Sequence, residues 1–137
     1  MNWFWIGLGG AIGSISRFAI GNWVQQKLNA KLPALLDFPT GTILVNVSGS
    51  FLIGLLAFLK KSGGESLLAP SARLFLLIGI CGGYTTFSSF SLETLQLADK
   101  GSWPKAGWNV LVSVAACLLA VWLGHQLALT LNKARGV

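Results

Sequence analysis

Two amides, a run of hydroxyls and a pair of phenylalanines stand in parts of this chain that carry almost no charge. Asn46 lies in the uncharged run 38–59, and Asn109, Ser113 and Cys117 recur at i, i+4 and i+8 within 106–132. Between them, "GGYTTFSSFSLE" at 82–93 opens on two glycines and closes on a lone glutamate. Phe87 and Phe90 are i, i+3 neighbours, as are Ser88 and Ser91, so each pair shares a helical face. Amide N–H, hydroxyl O–H and the electropositive edge of a phenyl ring are weak donors without a fixed cation. Such groups can meet an anion without the grip of a fixed cation. Each also has a plainer role. Asn46 is either an interhelical hydrogen bond worth about 1 kcal/mol or a donor offered to an anion. Spacing alone favours a seam of small residues for the 109–113–117 line, and ordinary packing for the phenylalanines. No Ser/His/Asp set, metal-ligand cluster or phosphate loop accompanies these groups, so the chain is not read as an enzyme.

The other ionisable groups are few. Arg17 keeps its charge and falls well inside an apolar stretch, where a brace onto carbonyls is the default reading. Asp37, Glu65 and Asp99 belong to connections, and Glu93 lies toward the end of its apolar run. Gly79, Gly82 and Gly83, followed by Thr85 and Thr86, make a poor helix centre. A break there frees main-chain carbonyls at membrane depth, tolerable only when buried in protein or lining a cavity, and able to coordinate Na⁺.

Elements that position these residues follow from the charge distribution. Of 137 residues, 53% are hydrophobic and 10% charged, far below the roughly 25% charged of a soluble domain. Runs 38–59, 74–92 and 106–132 hold no Asp, Glu, Lys or Arg, and 1–16 continues past Arg17 through "FAIGNWV". The expected fold is therefore an all-α membrane protein, a single transmembrane domain over 1–137 with spans at about 3–27, 40–59, 72–98 and 106–131. The first span lacks a basic leader and an A-x-A-type site, so it is expected to be retained. The net charge of +6 shows no basic stripe with interleaved aromatics, so no nucleic-acid partner is expected. Lysines and arginines at loops and ends suit anionic membrane lipid, and Trp3, Trp5, Trp23, Trp103 and Trp108 lie near span ends. Four spans place Lys60, Lys61, Arg73, Lys133 and Arg135 on one side and Lys27, Lys31, Lys100 and Lys105 on the other. That near-balance gives little orientation bias. Since four helices are few to enclose an aqueous path, a homodimer is expected, antiparallel if both orientations occur.

"GGAIGSISRF", "GTILVNVSGSFLIG" and "GICGGYTTFSSFSLE", in this order on the first three spans, resemble the signatures of the Fluc/CrcB fluoride channels along the length of the chain. The resemblance implies a multi-pass protein of the bacterial inner membrane, with a broken third helix, that passively exports cytoplasmic fluoride and so limits its toxicity. It implies an antiparallel, dual-topology homodimer with two pores and a structural Na⁺ at its centre, held by the main-chain carbonyls of Gly82 and Thr85. Asn46, Phe87, Ser88, Phe90, Asn109 and Ser113 are the implied pore residues, and Arg17 an electrostatic or structural one. Thr86, Ser91 and Glu93 are further candidates. Cys117 stands where the family commonly has serine. The alternative is a small dual-topology multidrug exporter, which needs a glutamate in the first span where this chain has Arg17.

Overall fold

A computed structural model describes residues 2–61 and 63–136. Met1, Ser62 and Val137 lie outside the described residues. The described residues are helical apart from short connections and one isolated antiparallel bridge, Lys60 to Ser66. Four stretches among them are long and apolar enough to cross a membrane: Asn2–Lys31, Thr40–Phe58, Pro70–Asp99 and Trp103–Ala134. The first and last run a few residues beyond the expected limits, because charged ends can continue a helix out of the hydrocarbon.

Helix α1 is Asn2–Lys31, α2 is Thr40–Phe58 and α6 is Trp103–Ala134. The third span is composite. It starts with α3 (Pro70–Arg73), winds as π-helix over Leu74–Cys81, and ends its first half with α4 (Gly82–Tyr84). Thr85 and Thr86 are then extended, with ψ of 156° and 117°, before α5 (Phe87–Asp99) resumes. The expected break is present, but the glycines are not where it opens. The chain stays helical through Gly79, Gly82 and Gly83, and two of these serve close packing instead. A Cβ on Gly79 would lie 2.8 Å from the Cα of Gly9 in α1, and one on Gly83 would lie 3.1 Å from the Cα of Gly10. Backbones that approach this closely exclude any side chain between them.

Prolines and one left-handed residue set the other boundaries. Pro70 and Pro104 sit in the first turns of α3 and α6, where their missing N–H costs nothing. Asp37 turns the first connection with φ of 69°, a conformation that Asp tolerates better than most residues. Helix α1 packs on the π-helical stretch, and α2 packs along α6. Gly54 meets Val121 and Gly124 meets Phe51, both through main chain, so the α2–α6 seam is as tight as the α1 seam.

Side-chain amides close both ends of the bundle. Gln25 Nε2 donates to the Phe38 carbonyl at 2.8 Å, while its Oε1 accepts from Gly41 N and Thr40 Oγ1. At the opposite end, buried Asn132 donates to the Phe58 carbonyl and accepts from Lys60 N at 3.0 Å. These bonds satisfy groups that helix ends leave open. Few large apolar side chains are buried within the protomer, while many, Phe87, Trp103 and Leu118 among them, face outward. Hydrocarbon or a second protein surface is the natural medium for that exterior.

Candidate functional site

At the break, Asn46 grips one peptide segment from both sides. Its Nδ2 donates to the Thr86 carbonyl at 3.0 Å, and its Oδ1 accepts from Thr86 N–H at 2.7 Å. Asn46 is buried in α2, so this is the polar partner that an extended residue needs when the helix ladder stops. One Nδ2 hydrogen remains for another acceptor. Thr86 itself caps α5: its Oγ1 accepts from Ser89 N at 3.1 Å and contacts the hydroxyls of Ser88 and Ser89.

The carbonyls released by the break divide into two groups. That of Cys81 accepts from the N–H and hydroxyl of Thr85, at 3.0 and 2.9 Å. That of Gly83 accepts from Arg17 Nε at 3.1 Å, and that of Thr86 from Asn46. Among the described residues no donor reaches the carbonyls of Gly82 and Thr85. Also among the described residues, no cluster of three His, Cys, Asp or Glu could hold a metal ion.

Two cavities share Thr86. One, of about 290 Å³, is lined by Asn46, Gly82, Thr85, Phe87, Phe90 and Ser113, with Cys81 and Cys117 also on its wall. The Phe87 and Phe90 rings lie 5.3 Å apart at 47° to each other. Phe90 is buried, whereas Phe87 is 78% exposed on the protomer and presents most of its ring outward. The other cavity, of about 370 Å³, is lined by Arg17, Asn22, Gln25, Thr42, Ser89 and Glu93 among others. Glu93 Oε1 accepts from Thr42 Oγ1 at 2.7 Å, while its buried Oε2 has no partner among the described residues. Helix α5 therefore sets its phenylalanines at the wall of one cavity and Ser89 and Glu93, four residues apart, at the wall of the other.

The fourth-span amides and hydroxyls form a relay behind the first cavity. Ser113 Oγ donates to Asn109 Oδ1 at 3.2 Å, Asn109 Nδ2 to Thr94 Oγ1 at 2.8 Å, and Thr94 Oγ1 to the Phe90 carbonyl at 2.7 Å. Asn109 is 1% exposed and does not reach the cavity wall, whereas Ser113 and Cys117 do. Ser88 and Ser91 are exposed on α5, Ser91 donating to the Phe87 carbonyl at 2.8 Å. Sequence reasoning missed Thr94, which ties this relay to α5. The signal for Thr94 was its position four residues after Phe90, where a threonine hydroxyl can reach back to a helical carbonyl. Nothing in the sequence marked Tyr84, whose hydroxyl meets Ser48 Oγ at 3.0 Å and joins α4 to α2.

Similarity to known proteins covers the whole of this arrangement. Residues 4–125 match the family model described as CrcB-like protein, Camphor Resistance (CrcB). A fluoride-specific ion channel FluC from Methylocella silvestris is 47% identical, over 99% of both chains. That from Opitutus terrae is 47% identical over 98% of this chain and 97% of its own, and that from Rhodospirillum rubrum 41% over 97% and 98%. The matched segment contains the break, both cavities and the relay, and on that ground the chain belongs to the CrcB-like family.

Proposed function

We infer that this chain is a fluoride-specific ion channel of the bacterial inner membrane that lets cytoplasmic F⁻ leave passively. The observation that carries the reading is the first cavity, where Asn46, Phe87, Phe90 and Ser113 converge on a broken membrane helix. Relatives of nearly the same length are named fluoride-specific ion channels, which supports the same ion here. Four membrane-crossing helices, with no nucleotide-binding loop among them, suit passive movement rather than an enzyme or a primary pump.

Fluoride holds its water tightly, and an unpaired ion in a low-dielectric interior costs tens of kcal/mol on the order of the Born penalty. A path works only if donors replace water step by step without trapping the ion. The free Nδ2 hydrogen of Asn46 supplies one donor, and the ring edges of Phe87 and Phe90 a weaker pair beside it. Clamping by Asn46 also holds the peptide that aims the Phe87 ring. The relay through Asn109 and Thr94 fixes Ser113 from behind. Arg17 stays outside this cavity with Nε on the Gly83 carbonyl, so no cationic side chain lines the path.

Two copies in opposite orientations would complete the site. The nearly equal lysine and arginine counts at the two ends permit both insertions, and the outward Phe87 ring and exposed Gly82 suit a protein neighbour better than lipid. A Na⁺ ion would suit the break: the Gly82 and Thr85 carbonyls, without donors among the described residues, would hold it together with their symmetry mates. Bound there, it would supply positive potential and tie the two protomers together. Two pores per dimer follow from two such cavities. Purified protein in liposomes loaded with fluoride, Na⁺ present and no proton gradient imposed, should release fluoride while retaining chloride. Equal release of both ions would overturn the reading, as would no release from vesicles shown to contain folded dimer.

A further inference from the structure

Two lysines reach across one end of the bundle to the connection between α1 and α2. Lys100 Nζ lies 3.2 Å from Asp37 Oδ1, and Lys105 Nζ donates to the Leu36 carbonyl at 3.0 Å. The ion pair occupies the only carboxylate of residues 32–39. Among the described residues Lys105 has no carboxylate within salt-bridge distance, and two of its three N–H donors remain after the Leu36 bond. Lys27, Lys31 and Asp99 complete the charges of this end, four cations against two carboxylates.

Beneath Lys105 runs a cleft of about 280 Å³, lined by Leu35, Phe38, Lys105, Trp108 and Val112. Lys105, Trp108 and Val112 follow one face of α6 at i, i+3 and i+7, descending about 10 Å at ~1.5 Å per residue. Leu35 and Phe38 form the facing wall, and Trp108 is 59% exposed at the depth where indole rings meet headgroups. The cleft is thus cationic at its water end and apolar along its membrane length. A second copy of this chain would complement it poorly. Asp37 and Glu65 are already paired with lysines and Glu93 is held inside by Thr42, which leaves Asp99 alone, and in an oppositely oriented copy Asp99 would lie at the other end of the bundle.

We propose that this cleft is a binding site for an anionic phospholipid, with the lipid phosphate on Lys105 and one acyl chain lying between Phe38 and Trp108. Lipid seated there bridges the first connection to α6 and holds closed the end that Lys100 and Lys105 already tie. The site is separate from the ion-conducting cavity, so its test stands apart from fluoride transport.

Native mass spectrometry of the purified channel in detergent, titrated with phosphatidylglycerol or phosphatidylcholine, tests the site. Phosphatidylglycerol should bind about fivefold more tightly, matching the ~1 kcal/mol of one lysine near an anionic surface. Lys105→Gln should remove that preference, Lys105→Arg should restore it, and Trp108→Ala should weaken both lipids. Lys27→Gln, at the same end but outside the cleft, should change neither. Equal binding of the two lipids by the wild type would overturn the proposal. A loss from Lys27→Gln as large as that from Lys105→Gln would do the same, since it reports diffuse surface charge. A preference untouched by Lys105→Gln places the lipid elsewhere and also overturns it.

Discussion

Asn46 joins two roles that sequence alone leaves as alternatives. Its carbonyl and one amide hydrogen hold Thr86, and its other amide hydrogen stays available at the cavity wall. Asn46→Ala would leave a buried peptide N–H without a partner, at a cost of about 1–3 kcal/mol. Both stability and fluoride flux should therefore fall, read by thermal unfolding in detergent and by vesicle efflux on the same preparation. Phe87 separates the two effects. Its ring is largely exposed on the protomer and makes no hydrogen bond, so Phe87→Ile keeps the fold while removing the electropositive edge. Flux should drop roughly five- to tenfold, the equivalent of ~1 kcal/mol of lost ring-edge attraction, with dimer mass unchanged by light scattering. Unaltered flux would reduce that ring to packing.

At the scale of elements, the spans are legible because charge is excluded from them, and the third is legible as broken because its centre resists helix. Where it breaks is less legible. Glycine is both a loosening residue and the residue of close contact, and the composition of "GICGGYTTF" does not say which use applies. Gly79 and Gly83 pack against α1, and the extended residues are Thr85, bonded back to the Cys81 carbonyl, and Thr86, held by Asn46 from 40 positions away. The π-helical winding of Leu74–Cys81 leaves no trace in an almost uniformly apolar stretch. Nor does spacing reveal that Asn109 turns toward Thr94 while Ser113, one turn later, meets the cavity. Two glycines of α1 test the packing account. A Cβ at Gly9 would press on the Phe75 carbonyl and lie 2.9 Å from Gly79 Cα, whereas one at Gly7 meets nothing within 4 Å. Gly9→Ala should destabilise the protein by about 1–3 kcal/mol, as overpacking does, and Gly7→Ala should not. Parallel melting curves of the two variants decide the matter.

For the molecule as a whole, the number that matters is five cations at one end against four at the other. Because orientation follows a lysine and arginine excess, this chain sits near the balance point, and a few added charges should tip it. Three lysines introduced into the 60–69 connection should bias insertion so that this connection stays cytoplasmic. Three in the 100–105 connection should bias it the other way. Reporter fusions at the chain end, one active only in the cytoplasm and one only outside, measure the split. If the working unit is antiparallel, either biased variant alone should lose most fluoride efflux from cells. Expressing the two together should restore it, because each supplies the orientation the other lacks. Full efflux from a single, uniformly oriented variant would instead mean that parallel copies, or one copy, suffice. In that case the outward Phe87 ring and the unpartnered Gly82 and Thr85 carbonyls would need some other neighbour.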